Sequence, residues 1–237
     1  MGKRIISQAR GKGSFTYRIR KKAFRYRLGY PGLNFKGSAQ ITKLINSPAH
    51  SAPIAKLIID KKVFYIPAAQ GLYEGQTIEI NNGGLEKGDI VMLKDIPIGT
   101  RIFNIEKRPG DGGKMVRTSG GFSTLSKKDE KGTFVLMSNK KEIKLNENCR
   151  VTIGTIAGQG RKTKPVIKAG KKHHMMKARS KKWHTTSAVK VNIIDHPFGG
   201  GRGKRIKSKI AKRDSPPGAK VGHISPRKTG KRKGRRR

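Results

Sequence analysis

Between residues 39 and 156 the chain alternates short apolar runs with turn-forming residues. Apolar segments fall at 41–45, 54–59, 63–66, 77–80, 90–93 and 101–105. The breaks between them hold Asp60-Lys61, Asn81-Asn82-Gly83-Gly84 and Lys87-Gly88-Asp89. Strands this short, separated by hairpin-length gaps, predict a small closed barrel. A second set follows at 121–126, 133–137, 142–145 and 149–156, with Ser138-Asn139-Lys140 as a hairpin turn. Pro97 and Gly99 mark the boundary between the sets. The expected fold class is mainly β: two small tandem barrels, over 38–98 and 99–160, with long basic N- and C-terminal extensions.

Outside this body the pattern lapses. Over 8–36, basic residues interleave with Phe15, Tyr17, Phe24, Tyr26, Tyr30 and Phe35, and neither a period of two nor one near 3.6 sorts the aromatics onto one face. Gly11, Gly13, Gly29, Pro31 and Gly32 interrupt any regular element, so residues 1–37 read as an extended arm. Residues 161–237 read as a second extension. Within it, 168–183 is rich enough in Ala, Met, Lys and Arg to form a short helix, although cationic faces give it little to pack against in water. A brief apolar run, 189–194, then leads into Asp195-His196-Pro197-Phe198-Gly199-Gly200-Gly201-Arg202-Gly203-Lys204 and a tail with too few large apolar side chains for a core.

Charge sharpens this division. The chain has 56 Lys plus Arg against 14 Asp plus Glu, a net charge of +42 over 237 residues. Residues 1–37 hold eleven bases and no acid, 38–160 hold eighteen against twelve, and 161–237 hold 27 against Asp195 and Asp214. A near-balanced body with two cationic arms requires a polyanionic partner, and nucleic acid is the obvious one. A membrane fits poorly, because no apolar run approaches a span and the basic segments lack an apolar face. Cys149 is the only cysteine, which excludes an internal disulfide and a thiolate zinc cluster. The first residues lack the apolar core of a secretory signal, so the expected location is cytoplasmic.

Catalytic motifs fail on inspection. Residues 199–204 resemble a phosphate-binding loop, but Phe198 stands where its first glycine belongs and Arg205 where Ser or Thr should follow the lysine. Gly158-Gln159-Gly160 is half a dinucleotide fingerprint. The six histidines pair with no carboxylate or thiol at ligand spacing, so neither a metal nor any other cofactor is expected. Asp195-His196 is a conceivable acid-base pair, yet adjacent residues seldom serve one substrate and glycines offer no rigid support. The expected role of His196 is contact with RNA, and no enzyme activity is expected.

The run from 188 to 202, followed by Pro216-Pro217-Gly218-Ala219-Lys220-Val221-Gly222-His223-Ile224 and a Gly-Lys-Arg terminus, resembles the universal large-subunit ribosomal protein two family in its archaeal and eukaryotic form. Ile96-Pro97-Ile98-Gly99-Thr100-Arg101-Ile102-Phe103-Asn104-Ile105-Glu106 and Pro109-Gly110-Asp111-Gly112-Gly113-Lys114 are similar to the family's link between barrels. The resemblance implies an OB-like barrel followed by an SH3-like one, with extensions threaded into large-subunit rRNA. It further implies support for subunit association, tRNA binding and the peptidyl transferase region. Phe198 stands where bacterial members carry a second histidine, which weakens any role for a histidine pair in peptide-bond chemistry. The implied partners are rRNA, neighbouring ribosomal proteins and the small subunit.

The residues expected on RNA begin with Arg10, Lys12, Arg18, Arg20, Arg25 and Arg27 in the first arm. Arg161 and Lys162 follow at the exit from the second barrel, then Lys171, Lys172, Arg179, Lys181, Lys182 and Trp183 in the helical stretch. His196, Pro197, Gly199, Gly200, Gly201 and Arg202 form the junction, and Lys204, Arg205, His223 and Arg227 lie in the tail. Competing classes explain less. A compaction protein has little need of a single glycine-histidine junction, an RNA-cleaving enzyme needs clustered carboxylates or a metal, and a protein resembling the hypusine-bearing elongation factor has no use for such basic arms.

Overall fold

Alternation along the middle of the chain becomes one large sheet. The computed structural model describes residues 2–19, 23, 25–59, 62–129, 132–179, 181–201 and 210–226. These divide into two compact units, one of Arg20–Ile167 and one of Met1–Ile19 with Lys168–Arg237. Among the described residues no helix is long and apolar enough to cross a membrane.

Among its described residues the first unit holds ten strands: β1 (Gly37–Ile45), β2 (Ile54–Ile59), β3 (Lys62–Pro67), β4 (Thr77–Ile80), β5 (Ile90–Met92), β6 (Arg101–Phe103), β7 (Ser123–Asp129), β8 (Gly132–Leu136), β9 (Glu142–Leu145) and β10 (Arg150–Ile153). They are ordered β3-β2-β1-β4-β5-β10-β6-β7-β8-β9. Every pairing is antiparallel except the single register pair Ile80↔Ile90 between β4 and β5. Asp89 steadies the connection there, accepting from the backbone N–H of Glu79 and of Glu86 at 2.9 Å each. As strands pair, the sheet is open rather than closed into rings. An isolated bridge between Ala69 and Ile156 nevertheless returns the chain after β3 to the chain after β10.

Two apolar cores lie against this sheet. One gathers Ile41, Leu57, Ile66, Ile78, Ile80, Ile90, Phe103 and Ile156; the other gathers Val91, Leu93, Ile96, Ile102, Leu125, Val135, Val151 and Ile153. The neighbours Ile90 and Val91 belong to different cores, as do Ile102 and Phe103. Successive strand residues face opposite sides, so β5 and β6 each serve both cores. A fully buried Ile or Leu contributes about 1.5–3 kcal/mol, so these side chains dominate the unit's stability. Cys149 is also buried here, and burial pushes its thiol up to about 11.

Among its described residues the second unit has little regular structure. These include α1 (Ile6–Gly11), α3 (Ala169–Ala178), a 3-10 turn (Ala188–Lys190) and the two-residue strands β11 (Ile210–Ala211) and β12 (His223–Ile224), which pair in parallel; α2 (Gly160–Thr163) belongs to the sheet unit. Helix α1 falls where an extended arm was expected. The Gln8 side chain reaches back to accept from the Ile5 N–H at 3.1 Å, and Ile5 is buried. That local cap and apolar anchor start a turn that hydrophobic periodicity alone does not signal.

Candidate nucleic-acid interface

In the second unit, the segment ending in three glycines is a folded loop. The N–H groups of Asp195 and His196 both donate to the Asn192 carbonyl, at 3.0 and 3.3 Å. Gly199 N–H donates to the His196 carbonyl at 2.8 Å, and Gly200 N–H to the Val191 carbonyl at 3.0 Å. Glycine is required by contact as well as by dihedral angle. A β-carbon at 199 would overlap the Asn192 carbonyl, and one at 200 would strike the Ile193 side chain from a φ of +81°.

His196 is oriented by this loop. Its Nδ1 accepts from the Phe198 backbone N–H at 3.0 Å, so the neutral ring carries its proton on Nε2, and the Phe198 ring lies 5.1 Å from it. Asp195 turns its carboxylate to Lys3, with Nζ at 3.5 Å, while the Lys3 N–H donates to the Ile194 carbonyl at 2.7 Å. The carboxylate beside His196 is therefore engaged by the N-terminal segment, and the imidazole is oriented by backbone. A cleft of about 350 Å³ opens here, lined by Lys3, Arg4, Gln8, His196, Pro197 and Pro217 among others.

Helix α3 presents charge without a packing face. None of its residues is buried, Lys168 at its N-cap makes no side-chain capping bond, and no acid sits in its first turn. Lys171, His173, His174 and Lys177 are exposed, and Lys172 is partly so. A ten-residue helix with no buried residue is marginal in water, so its basic surface favours a partner that supplies countercharge.

In the sheet unit, a buried ion pair anchors the segment before β1. Glu106 and Arg150 have side chains 0% and 1% exposed and meet at 2.8 Å. Glu106 also accepts from the N–H groups of Gly110, Gly112 and Arg150. Arg150 Nη1 donates to the carbonyls of Pro31 and Gly32 at 2.8 and 3.1 Å. Tyr30 lies beneath the guanidinium, donates to the Asn104 carbonyl at 2.6 Å, and meets Thr152 Oγ1 at 2.7 Å. Burial raises its phenol well above the ordinary value, so the hydroxyl keeps its proton for these bonds. Residues 30–32 are thus pinned through their backbone, a role that neither Glu106 nor Arg150 signals in the sequence.

The residues expected on RNA fall in both units. Arg10, Lys12 and Arg18 are exposed in the second, where Arg10 lies 5.8 Å from the Tyr17 ring and Arg18 lies 6.0 Å from Phe15. The second unit also holds Lys171, Lys172 and Arg179 on or at the end of α3, then Lys181, Lys182 and Trp183, whose ring lies 6.4 Å from that of His184. His196, Pro197, Gly199, Gly200 and Gly201 form the loop, and His223 is exposed on β12. The helix expected over 168–183 ends at Ala178, before Lys181 and Trp183. In the sheet unit Arg25 and Arg27 are exposed, and Arg161 on α2 donates from Nε to Ser119 Oγ at 2.8 Å, with Lys162 following it. Arg20, Arg202, Lys204, Arg205 and Arg227 lie outside the described residues.

His173 and His174 stand edge to face, 5.5 Å apart, and among the described residues no group of three His, Cys, Asp or Glu could hold a metal ion. Together these features define a class: a β-sheet protein with a second, strongly cationic unit, the charge distribution of a polyanion-binding protein. The family described as Ribosomal Proteins L2, C-terminal domain, matches residues 86–218. The large ribosomal subunit protein uL2 of Archaeoglobus fulgidus is 42% identical over 239 residues, spanning 98% of this chain and 100% of that protein. Its counterparts in Methanocaldococcus jannaschii and Methanococcus maripaludis are 41% and 40% identical at the same coverage. The chain belongs to the ribosomal protein L2 family, known as uL2.

Proposed function

We propose that the protein is a structural constituent of the large ribosomal subunit that binds and stabilises large-subunit rRNA. The observation that carries this reading is α3: a cationic helix with no buried residue, in a unit whose only acids are Asp195 and Asp214. Folded rRNA packs phosphates closely, and a cationic segment that releases counterions as it lies among them stabilises that packing. Relatives bearing the name large ribosomal subunit protein uL2 support the same assignment.

The two halves of the sheet are read as an OB-like barrel over 38–98 and an SH3-like barrel over 99–160, flanked by basic extensions over 1–37 and 161–237. Two cores divided at β5 and β6, and the bridge between Ala69 and Ile156, support this. The RNA-contacting set is the group of basic, aromatic and junction residues expected from the sequence, with His196 a contact rather than a catalyst. Neighbouring ribosomal proteins and the small subunit complete the partners, and the glycine-histidine loop supports the peptidyl transferase region. Co-sedimentation of the tagged full chain with large subunits through a high-salt sucrose cushion tests the reading. Retention with the subunit is expected; release into the supernatant, with binding to bulk duplex instead, would turn it towards a general compaction protein.

A further inference from the structure

A roomy cleft on the sheet unit includes Arg27 of the RNA-contacting set and otherwise has no part in the function described so far. It measures about 660 Å³ and is lined by Tyr26, Arg27, His50, Asp111, Lys114 and Arg117, with glycine backbone between them. Its volume falls within the range of sites that take small organic ligands.

Its chemistry is mixed in a particular way. The Tyr26 ring is braced by Tyr65, with centroids 5.0 Å apart at 56°. Arg117 is half-buried and already tied down: Nε donates to Asn104 Oδ1 at 2.8 Å, and Nη2 donates to the carbonyls of Leu28, Gly112 and Gly113. Asp111 is held by the Lys107 and Gly113 N–H groups at 3.0 Å each, and Lys114 Nζ stands 3.9 Å from its carboxylate. His50 shares a hydrogen bond of 2.9 Å with Ser47, and burial beside Arg117 lowers its pKa, so at neutral pH it adds a dipole rather than a charge.

A pure phosphate site has no use for a fixed carboxylate, which repels the anion. A nucleobase edge carries acceptors that suit a guanidinium and N–H donors that suit a carboxylate, and its face stacks on an aromatic ring. We propose that this cleft takes one unstacked nucleotide of the large-subunit rRNA, its base against Tyr26 and its edge between Asp111 and Arg117. Arg27 and Lys114 meet the flanking phosphates. The inference rests on the rRNA-binding reading above and adds a base-reading site to it.

The test uses the full chain with large-subunit rRNA transcript, comparing wild type, Tyr26→Ala, Tyr26→Phe and Lys114→Ala. Loss of one stacked base weakens binding about tenfold without changing the salt slope, because stacking releases no counterion. Tyr26→Ala is therefore expected to raise Kd about tenfold at unchanged slope and to restore chemical reactivity at one unpaired nucleotide. Tyr26→Phe is expected to retain both affinity and protection. Lys114→Ala is expected to lower the slope by about 0.7–0.9. Equal affinity for wild type and Tyr26→Ala, with no nucleotide regaining reactivity, would overturn the proposal while leaving rRNA binding intact. Cross-linking of the cleft in assembled subunits to a protein alone would overturn it too. Failure of the wild type to bind the transcript would instead strike the rRNA-binding reading itself.

Discussion

The two units carry similar amounts of positive charge and use it in opposite ways. The sheet unit has 27 Lys or Arg and twelve acids in residues 20–167; the other has 29 and two in residues 1–19 and 168–237. Where acids and apolar side chains are present, Arg150 is drawn into the interior and satisfied by Glu106 and backbone carbonyls. Where they are scarce, α3 buries nothing. A cation is structural when the chain supplies both its counterion and its enclosure; otherwise a partner must.

The largest expected effect separates the two kinds of ion pair. Glu106→Gln leaves a buried guanidinium without its counterion and should cost about 3–5 kcal/mol in urea unfolding of the sheet unit. Asp195→Asn removes the exposed partner of Lys3, with side chains 68% and 39% exposed, and should cost less than about 1 kcal/mol. Comparable losses from both would break the comparison.

A change at the glycine loop should spare the sheet while harming assembly. Gly199→Ala places a β-carbon against the Asn192 carbonyl, so incorporation into large subunits, read on sucrose gradients, should fall severalfold with sheet stability unchanged. His196→Gln should assemble normally and retain most peptide-bond formation in purified subunits. A fully assembled but inactive His196→Gln particle would favour acid-base chemistry, since an amide takes up no proton near neutral pH.

Smaller still is the effect of charge on α3. Replacing Lys171, Lys172, Lys177 and Arg179 with glutamine should lower the slope of log affinity against log salt by about 0.7–0.9 for each phosphate that the helix no longer neutralises. At Cys149, iodoacetamide should react at pH 8 only as fast as the sheet opens. Because burial raises this thiol from the ordinary 9.0 to about 11, the unfolded chain gives up its proton first, and stability should decline slightly as pH rises across that window.

The strands were legible because each carries its own signal: β2, β4 and β9 fall on the apolar segments expected, and the turns between strands contain Asn, Asp and Gly. The glycine junction stood out in the sequence, but only as a contact with RNA; its folding onto Val191, Asn192 and Ile193 was not legible, because glycines by themselves signal no partner. Nor was the ion-pair anchor. Glu106 and Arg150 are 44 residues apart, and each reads as an ordinary surface residue until the fold buries them together. Helix α1 was missed because its start depends on one glutamine and one buried isoleucine, too short a pattern for periodicity to register. The cleft at Tyr26 and Arg117 joins positions 91 residues apart in sequence; Tyr26 and Arg27 stand out in the basic-aromatic arm, while Arg117 carries no signal of its own until the fold brings it beside them.

The central claim is that the sheet is ordered by its own cores while the cationic unit depends on RNA for full order. Amide hydrogen exchange of the full chain, free and bound to large-subunit rRNA, measures this directly. Free protein should exchange slowly in β2, β5 and β10 and rapidly in α3; rRNA should slow exchange in α3 and around 189–201 at least tenfold while leaving the central strands unchanged. Protection of α3 in the free protein equal to that of β10, and unaltered by rRNA, would contradict the account.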